Sequence, residues 1–300
     1  MSAQDTRGSE GMTRHFGEFT FAFSGAPPAE DLNLSKRNPR WPTSTTARHF
    51  ARDPRTGSLR KHAPALRVFL VPSRSSRSLK IIVDADHTVS ASYLAPRGAS
   101  ACYIFAHGAG AGMNHPFMLE ITNGLAARKI ASLRYQFPYM EMGSKRPDRP
   151  ALAQATVLAA VQAAARLAPH KTLIAGGKSF GGRMTSQAQA ASPLPKVRGL
   201  AFVGFPLHPA KKPSPKRADH LAHIDIPMLF VQGDRDALAD RKLLLPMVRC
   251  LGSRAVLQTI KGADHSFHVL ARSGRTDRQA LDEMLDGLAL WITEVAHGDR

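Results

Sequence analysis

A serine stands between glycines at residues 177–181, whose sequence is GKSFG. The apolar run at 172–175 predicts a strand before it, and residues 180–190 predict a helix after it. A serine on such a tight turn needs small neighbours, and its hydroxyl then stands exposed at the end of the strand. We therefore predict that Ser179 is the nucleophile of an acyl-transfer reaction.

The letters GKS also end the phosphate-binding pattern GxxxxGK[ST], so a nucleotide site is a competing interpretation. That pattern requires a glycine at position 172, where the chain has Thr172 inside the predicted strand. Because no flexible loop would then surround a phosphate, the nucleophile interpretation is favoured.

A glycine-rich run, HGAGAG at residues 107–112, follows the apolar run at 101–106. Acyl transfer needs fixed N–H donors for the negative charge that develops on the carbonyl oxygen. One such donor belongs to the residue after the nucleophile, and another to a glycine-rich loop after an earlier strand. We predict Phe180 and Ala109 as the oxyanion-hole donors and interpret His107 as a support for the loop.

Two later loops supply a carboxylate and an imidazole. GDRD at 233–236 and GADHSF at 262–267 each follow an apolar run. We predict that Asp236, favoured over Asp234 by its distance from the glycine, orients His265 as the general base. An aspartate at this position could instead be a helix N-cap. Because the chain has 13 histidines, a single histidine is by itself weak evidence for a catalytic role. The order serine, aspartate, histidine, each after a strand, favours the catalytic interpretation.

Apolar runs that alternate with helical patterns from Leu79 onward predict an α/β fold. We expect an α/β-hydrolase fold, in which helices flank both faces of a doubly wound, mostly parallel sheet. The clearest helix is the last one, where apolar residues between Leu281 and Val295 recur at helical spacing. The interval between Phe205 and His223 is too short for a large lid.

Residues 1–77 differ in composition from the rest, being basic and rich in proline, serine and threonine. We predict that residues 1–77 form a mostly disordered extension, in which only residues 65–71 resemble a strand, and that residues 78–300 form the hydrolase domain. The net charge of +18 suggests an anionic partner. A proteome rich in arginine, together with a basic tail, is the favoured explanation of this charge. Because no nucleic-acid recognition motif is present, we do not expect a nucleic-acid partner, and only the basic segment could bind one.

The chain has neither an apolar run of about 18 residues nor a secretory leader pattern. Cys102 and Cys250 are predicted to be buried thiols of a reducing compartment. We therefore expect a cytoplasmic protein without a membrane partner, and the sequence predicts no metal or cofactor.

Six motifs together resemble one family of α/β-hydrolase-like proteins. They lie at residues 107–118, 137–141, 176–184, 204–209, 232–237 and 262–267. The family is shared by many bacterial proteins, testis-expressed protein 30 and subunit 3 of the NSL chromatin complex, and is related more loosely to dienelactone hydrolases. The resemblance covers residues 78–298 and places the family's triad on Ser179, Asp236 and His265. It implies hydrolases among bacterial members and scaffolds among animal members.

We accordingly predict a serine hydrolase that cleaves a small ester, thioester or lactone through an acyl-enzyme. The alternative is a non-catalytic binding or scaffold protein with the same fold. Apolar residues near the nucleophile are predicted to line the substrate pocket, although ordinary core packing explains them equally well. These residues are Met113, Phe117, Tyr139 and Phe205.

Two cations flank the predicted nucleophile. Lys178 and Arg183 favour an anionic acyl group if they face the substrate. A structural role for Arg183, in an ion pair with Glu141 or Asp148, is the preferred alternative.

Overall fold

A computed structural model describes residues 76–298, and the predicted extension, with the strand suggested at 65–71, lies almost entirely outside them. Within this range the chain alternates strands and helices. The strands are β1 (Arg77–Ile82), β2 (Thr88–Leu94), β3 (Ala101–Ala106), β4 (Ala131–Tyr135), β5 (Thr172–Lys178), β6 (Val197–Val203), β7 (Met228–Gly233) and β8 (Ala255–Ile260). The α-helices are α1 (Pro116–Ala127), α2 (Pro138–Glu141), α3 (Pro150–Leu167), α4 (Phe180–Ala191), α5 (Arg241–Leu251) and α6 (Asp277–His297).

The strands form a single mostly parallel sheet in the order β1-β2-β4-β3-β5-β6-β7-β8. Strand β2 pairs antiparallel with β1 and β4, whereas every pairing from β4 to β8 is parallel. Every residue of the central strand β3 is buried, as expected for a strand that is covered on both faces. The predicted fold class is confirmed.

Helices cover both faces of this sheet and create two apolar layers. Helices α1 and α6 pack on one face, where Met284 and Leu288 join the layer that contains Tyr103 and Phe105 of β3. Helices α3, α4 and α5 supply buried residues to the other layer. Helix α6 begins at a capping box formed by Thr276 and Gln279, so its apolar stripe is fixed from the first turn.

Three sequence-based expectations require correction. Strand β5 continues three residues beyond the predicted run, up to Lys178. The pattern of residues 238–251 predicts a helix over that range, but helix α5 begins at Arg241, because the Asp240 side chain caps it by accepting a hydrogen bond from the Lys242 N–H. Cys250 is an exposed thiol, whereas Cys102 is buried as predicted.

The segment between β6 and β7 forms no large lid. It contains the 3-10 helix Lys216–His223, which packs on α4 through a 2.8 Å hydrogen bond between His220 and Ser186. Among the helices in residues 76–298, none has the length and apolar character that a bilayer crossing requires.

Candidate active site

Ser179 occupies a sharp turn between β5 and α4. Its backbone lies at φ 50° and ψ −114°, a region that non-glycine residues seldom adopt. A Cβ atom at Gly177 would lie 2.7 Å from the Ala106 carbonyl oxygen, and one at Gly181 would lie 2.6 Å from that of His107. Both positions therefore require glycine, and the turn presents the Ser179 hydroxyl at the carboxyl edge of the sheet.

The loops after β7 and β8 bring an imidazole and a carboxylate to this hydroxyl. His265 Nε2 lies 2.9 Å from Ser179 Oγ, and His265 Nδ1 lies 2.7 Å from Asp236 Oδ2. Because an ionised carboxylate only accepts hydrogen bonds, Nδ1 carries the proton and Nε2 is left to accept from the serine. Asp234 instead accepts the Gly262 N–H at 2.7 Å, which joins the two loops.

The Asp236 side chain is fully buried. Its Oδ1 accepts the Leu238 N–H at 2.8 Å, and its Oδ2 accepts from Gln232 Nε2 at 2.5 Å as well as from His265. A buried carboxylate requires such donors, because burial otherwise strongly disfavours its charge. The sequence analysis did not predict a role for Gln232. The feature that could have indicated one is its polar side chain within the otherwise apolar strand β7.

The glycine-rich loop after β3 is held by the side chains of His107 and Tyr139. His107 Nδ1 lies 2.8 Å from the Gly108 carbonyl oxygen, and its Nε2 accepts the Phe137 N–H at 3.0 Å. Burial lowers the pKa of this imidazole to about 4, so the ring is neutral at pH 7. The Tyr139 hydroxyl accepts the Gly110 N–H at 3.1 Å.

Of the two predicted oxyanion donors, Phe180 directly follows Ser179, and Ala109 lines the same cavity as Ser179. A Cβ atom at Gly108 would lie 3.7 Å from that of Ser179, so the loop that carries Ala109 lies beside the turn at Ser179. Neither N–H has a hydrogen-bond acceptor within residues 76–298. Phe180 begins α4, where the first N–H groups have no partner inside the helix.

A cavity of about 390 Å³ opens at Ser179 and His265. Its walls are formed by Gly108, Ala109, Ala111, His115, Phe117, Met118, Lys178, Ser179, Leu238, His265 and Ser266. Of the four predicted pocket residues, only Phe117 belongs to this lining.

Met113, Tyr139 and Phe205 are buried and do not belong to this lining, so the structure does not bring them together with Phe117 at the cavity. Phe205 packs against Phe202 and Phe230 in the core, with ring centroids 5.3 and 5.7 Å away. Tyr139 accepts the Gly110 N–H of the glycine-rich loop, and its ring packs edge-on against that of Phe180, with centroids 6.4 Å apart.

The two cations beside the nucleophile have different surroundings. Lys178 Nζ donates to the His265 carbonyl oxygen at 2.7 Å, and burial lowers the pKa of the lysine to about 8. The Arg183 guanidinium lies 6.0 Å from the centroid of the Phe180 ring. Within residues 76–298, Arg183 forms no ion pair with Glu141 or Asp148, so its predicted pairing is wrong.

Both predicted acidic partners of Arg183 are engaged by other groups. Glu141 binds Lys80 and Ser90, and Asp148 accepts the Tyr139 N–H at 3.2 Å.

Within residues 76–298, no group of three or more His, Cys, Asp or Glu side chains is placed to hold a metal ion.

The model of a family described as an alpha/beta hydrolase domain matches residues 99–293. The chain belongs to this family. Solved structures similar to this hydrolase include a dienelactone hydrolase from Anabaena variabilis, with 18% identity, a TM-score of 0.58, and coverage of 73% of this chain and 97% of that one.

An alpha-beta serine hydrolase homologue from Coxiella burnetii is 19% identical, with a TM-score of 0.57, over 71% of this chain and 97% of that one. A serine hydrolase without a lid from Xanthomonas campestris is 18% identical, with a TM-score of 0.57, over 72% and 95% of the two chains. At these identities the likeness shows the fold.

Proposed function

We propose that this hydrolase cleaves small esters, thioesters or lactones through a covalent acyl-enzyme on Ser179. The observation that carries the proposal is the chain of hydrogen bonds from Ser179 Oγ to His265 Nε2, at 2.9 Å, and from His265 Nδ1 to Asp236 Oδ2, at 2.7 Å. This arrangement is the one that activates a serine hydroxyl at neutral pH.

In the proposed reaction, Ser179 Oγ attacks the substrate carbonyl carbon while His265 Nε2 takes the hydroxyl proton. Asp236 stabilises the resulting imidazolium, and the Phe180 and Ala109 N–H groups bind the oxyanion. His265 then gives its proton to the leaving group, and the acyl-enzyme remains. A water that His265 deprotonates attacks the acyl carbon, and the carboxylic acid leaves as Ser179 recovers its proton.

The cavity supports a small acyl group that is neutral or anionic. Its volume of about 390 Å³ suits a small ligand, and its lining includes Lys178 but no carboxylate side chain. Lactones are included among the substrates to be tested because the similar Anabaena variabilis protein is a dienelactone hydrolase. The free, buried Cys102 thiol suits a reducing compartment, so we place the reaction in the cytoplasm.

The test is replacement of the nucleophile, Ser179→Ala, with turnover of p-nitrophenyl acetate as the measurement. We expect turnover to fall by about 10³-fold or more, because the general base then has no hydroxyl to activate. A fluorophosphonate probe should label the wild-type protein at Ser179 and leave the variant unlabelled. Undiminished turnover in Ser179→Ala would refute the assignment.

Ser186→Ala is the matched control. Ser186 also lies in α4 and also contacts a histidine, with its hydroxyl 2.8 Å from His220 Nε2, but it does not line the cavity. Labelling and turnover should therefore be unchanged in this variant.

The alternative remains a binding or scaffold protein, which the resemblance to testis-expressed protein 30 and subunit 3 of the NSL complex suggests. A wild-type protein that turns over none of the three substrate classes and takes no label would favour that alternative.

A further inference from the structure

The buried side chain of Gln232 connects the loop after β6 with the loop that carries Asp236. Gln232 is 1% exposed and is the penultimate residue of β7. Its Oε1 accepts the Phe205 N–H at 2.9 Å, and its Nε2 donates to Asp236 Oδ2 at 2.5 Å. Both ends of the amide are therefore bonded.

The two partners determine which way the amide of Gln232 faces. The Phe205 N–H can only donate, so it requires the amide oxygen. The Asp236 carboxylate only accepts when ionised, so it requires the amide nitrogen. A side chain with an acceptor at one end and a donor at the other satisfies both partners, and glutamine provides that combination at this length.

We infer that Gln232 is a positioning residue that holds the Asp236 carboxylate against the His265 imidazole. Asp236 Oδ2 receives both the Gln232 N–H and the His265 N–H, while Oδ1 receives the Leu238 N–H. The amide donor opposes rotation of the carboxylate away from His265. This role rests on the proposed function, because orienting the imidazole matters only when Ser179 is its partner.

Two substitutions separate positioning from packing. Gln232→Leu removes both hydrogen bonds at similar volume, whereas Gln232→Glu keeps the acceptor for Phe205 but brings a second carboxyl group against Asp236. Two adjacent carboxylates cannot both ionise easily, so one of the pair retains a proton at lower pH. That proton would restore the donor to Asp236, and its loss at higher pH would replace the donor with a repelling charge.

The measurement is kcat and KM for p-nitrophenyl acetate from about pH 6 to about pH 8.5, each expressed relative to the wild type. For Gln232→Leu we expect kcat to be about 10- to 100-fold lower at every pH, because a bond to a charged group is lost. For Gln232→Glu we expect the ratio to the wild type to fall by about fivefold or more as the pH rises. KM should change little, since Gln232 does not line the cavity.

Gln189→Leu is the matched control for packing. Gln189 is also a buried glutamine whose Oε1 accepts a backbone N–H, that of Leu194, at 2.9 Å. It lies in α4 and does not line the cavity, so its replacement should change stability without changing the pH dependence of kcat.

The inference is overturned if both Gln232 variants keep wild-type kcat. It is also overturned if both lose the same factor at every pH while their melting temperatures fall as in Gln189→Leu. A wild-type protein without turnover or fluorophosphonate labelling is a different result, because it removes the proposed function itself and the role of Gln232 with it.

Discussion

His107 and His265 each lie just beyond a strand of the same sheet, and each ring makes two polar contacts. The nitrogens of His107 are both occupied by backbone groups, those of Gly108 and Phe137. The nitrogens of His265 contact the Asp236 carboxylate and the Ser179 hydroxyl. The His107 residue is fully buried, whereas the His265 side chain is 25% exposed and lines the cavity.

The partners of a histidine, rather than its place after a strand, determine what it can do. A ring whose unprotonated nitrogen already accepts a backbone N–H cannot take a proton from another group. Such a ring serves only to fix a loop. A ring that faces a hydroxyl in a cavity is able to take its proton. We therefore expect replacement of the two histidines to have opposite effects on activity and on stability.

The largest effect is expected from His265→Gln. We expect kcat for p-nitrophenyl acetate to fall by about 10⁴-fold, because the proposed general base is lost. The free energy of unfolding should change by less than about 1.5 kcal/mol, since Asp236 keeps its bonds to Leu238 and Gln232. Urea unfolding measures the second quantity. A loss of turnover below tenfold would remove the distinction between the two rings.

His107→Leu should show the opposite pattern. It leaves the buried Phe137 N–H and the Gly108 carbonyl oxygen without this partner, and we expect a loss of about 3 kcal/mol in the free energy of unfolding. Turnover should fall only about tenfold, because Ser179 and His265 remain in place while the glycine-rich loop loosens. A variant of full stability with turnover as low as that of His265→Gln would contradict the comparison.

The same variant also tests the pH dependence of stability. The pKa of His107 is about 4 in the folded protein and about 6.5 in an unfolded chain. Below pH 6.5 the unfolded chain binds a proton that the folded protein does not. Titration of His107 therefore does not change the free energy of unfolding above pH 6.5. It lowers this free energy as the pH drops towards 4, by about 3 kcal/mol in total.

The wild-type free energy of unfolding should accordingly fall more steeply than that of His107→Leu between pH 6.5 and pH 4. His220, whose pKa burial also lowers to about 4, acts in the same direction. Because His220 is present in both proteins, the difference between their curves isolates His107. Parallel curves would show that His107 is not held neutral by the fold.

The meeting of the Ser179, Asp236 and His265 side chains was predictable from the sequence, because topology brings them together. Ser179, Asp236 and His265 each follow a parallel strand, and the carboxyl ends of parallel strands meet at one edge. Their contacts with Gln232 and Lys178 depend on side-chain paths across neighbouring loops. Linear spacing carries no information on such paths, so both contacts were missed.

The lining of the cavity at Ser179 was predicted less well, for a related reason. Phe117 lines the cavity, but Phe205 faces the core and Tyr139 turns its hydroxyl to the Gly110 N–H. Apolar residues near a nucleophile suit a core and a pocket equally, because both environments remove them from water. Only the direction of each side chain distinguishes the two.

A smaller effect is expected from Lys178→Met, which loosens the His265 loop without altering either histidine ring. Lys178 donates to the His265 carbonyl oxygen at 2.7 Å. Losing this charge-assisted bond should lower kcat about fivefold for p-nitrophenyl acetate. Because Lys178 is in the cavity wall, kcat/KM should fall further for an anionic ester such as p-nitrophenyl hemisuccinate.

Lys171→Met is the control, since Lys171 makes the same kind of bond, to the Ala99 carbonyl oxygen at 2.6 Å, but does not line the cavity. Its kinetics should equal those of the wild type. An equal loss for both esters in Lys178→Met would limit the lysine to supporting the loop. No loss for either ester would mean that the His265 ring, like the His107 ring, is placed adequately by its own two nitrogen contacts.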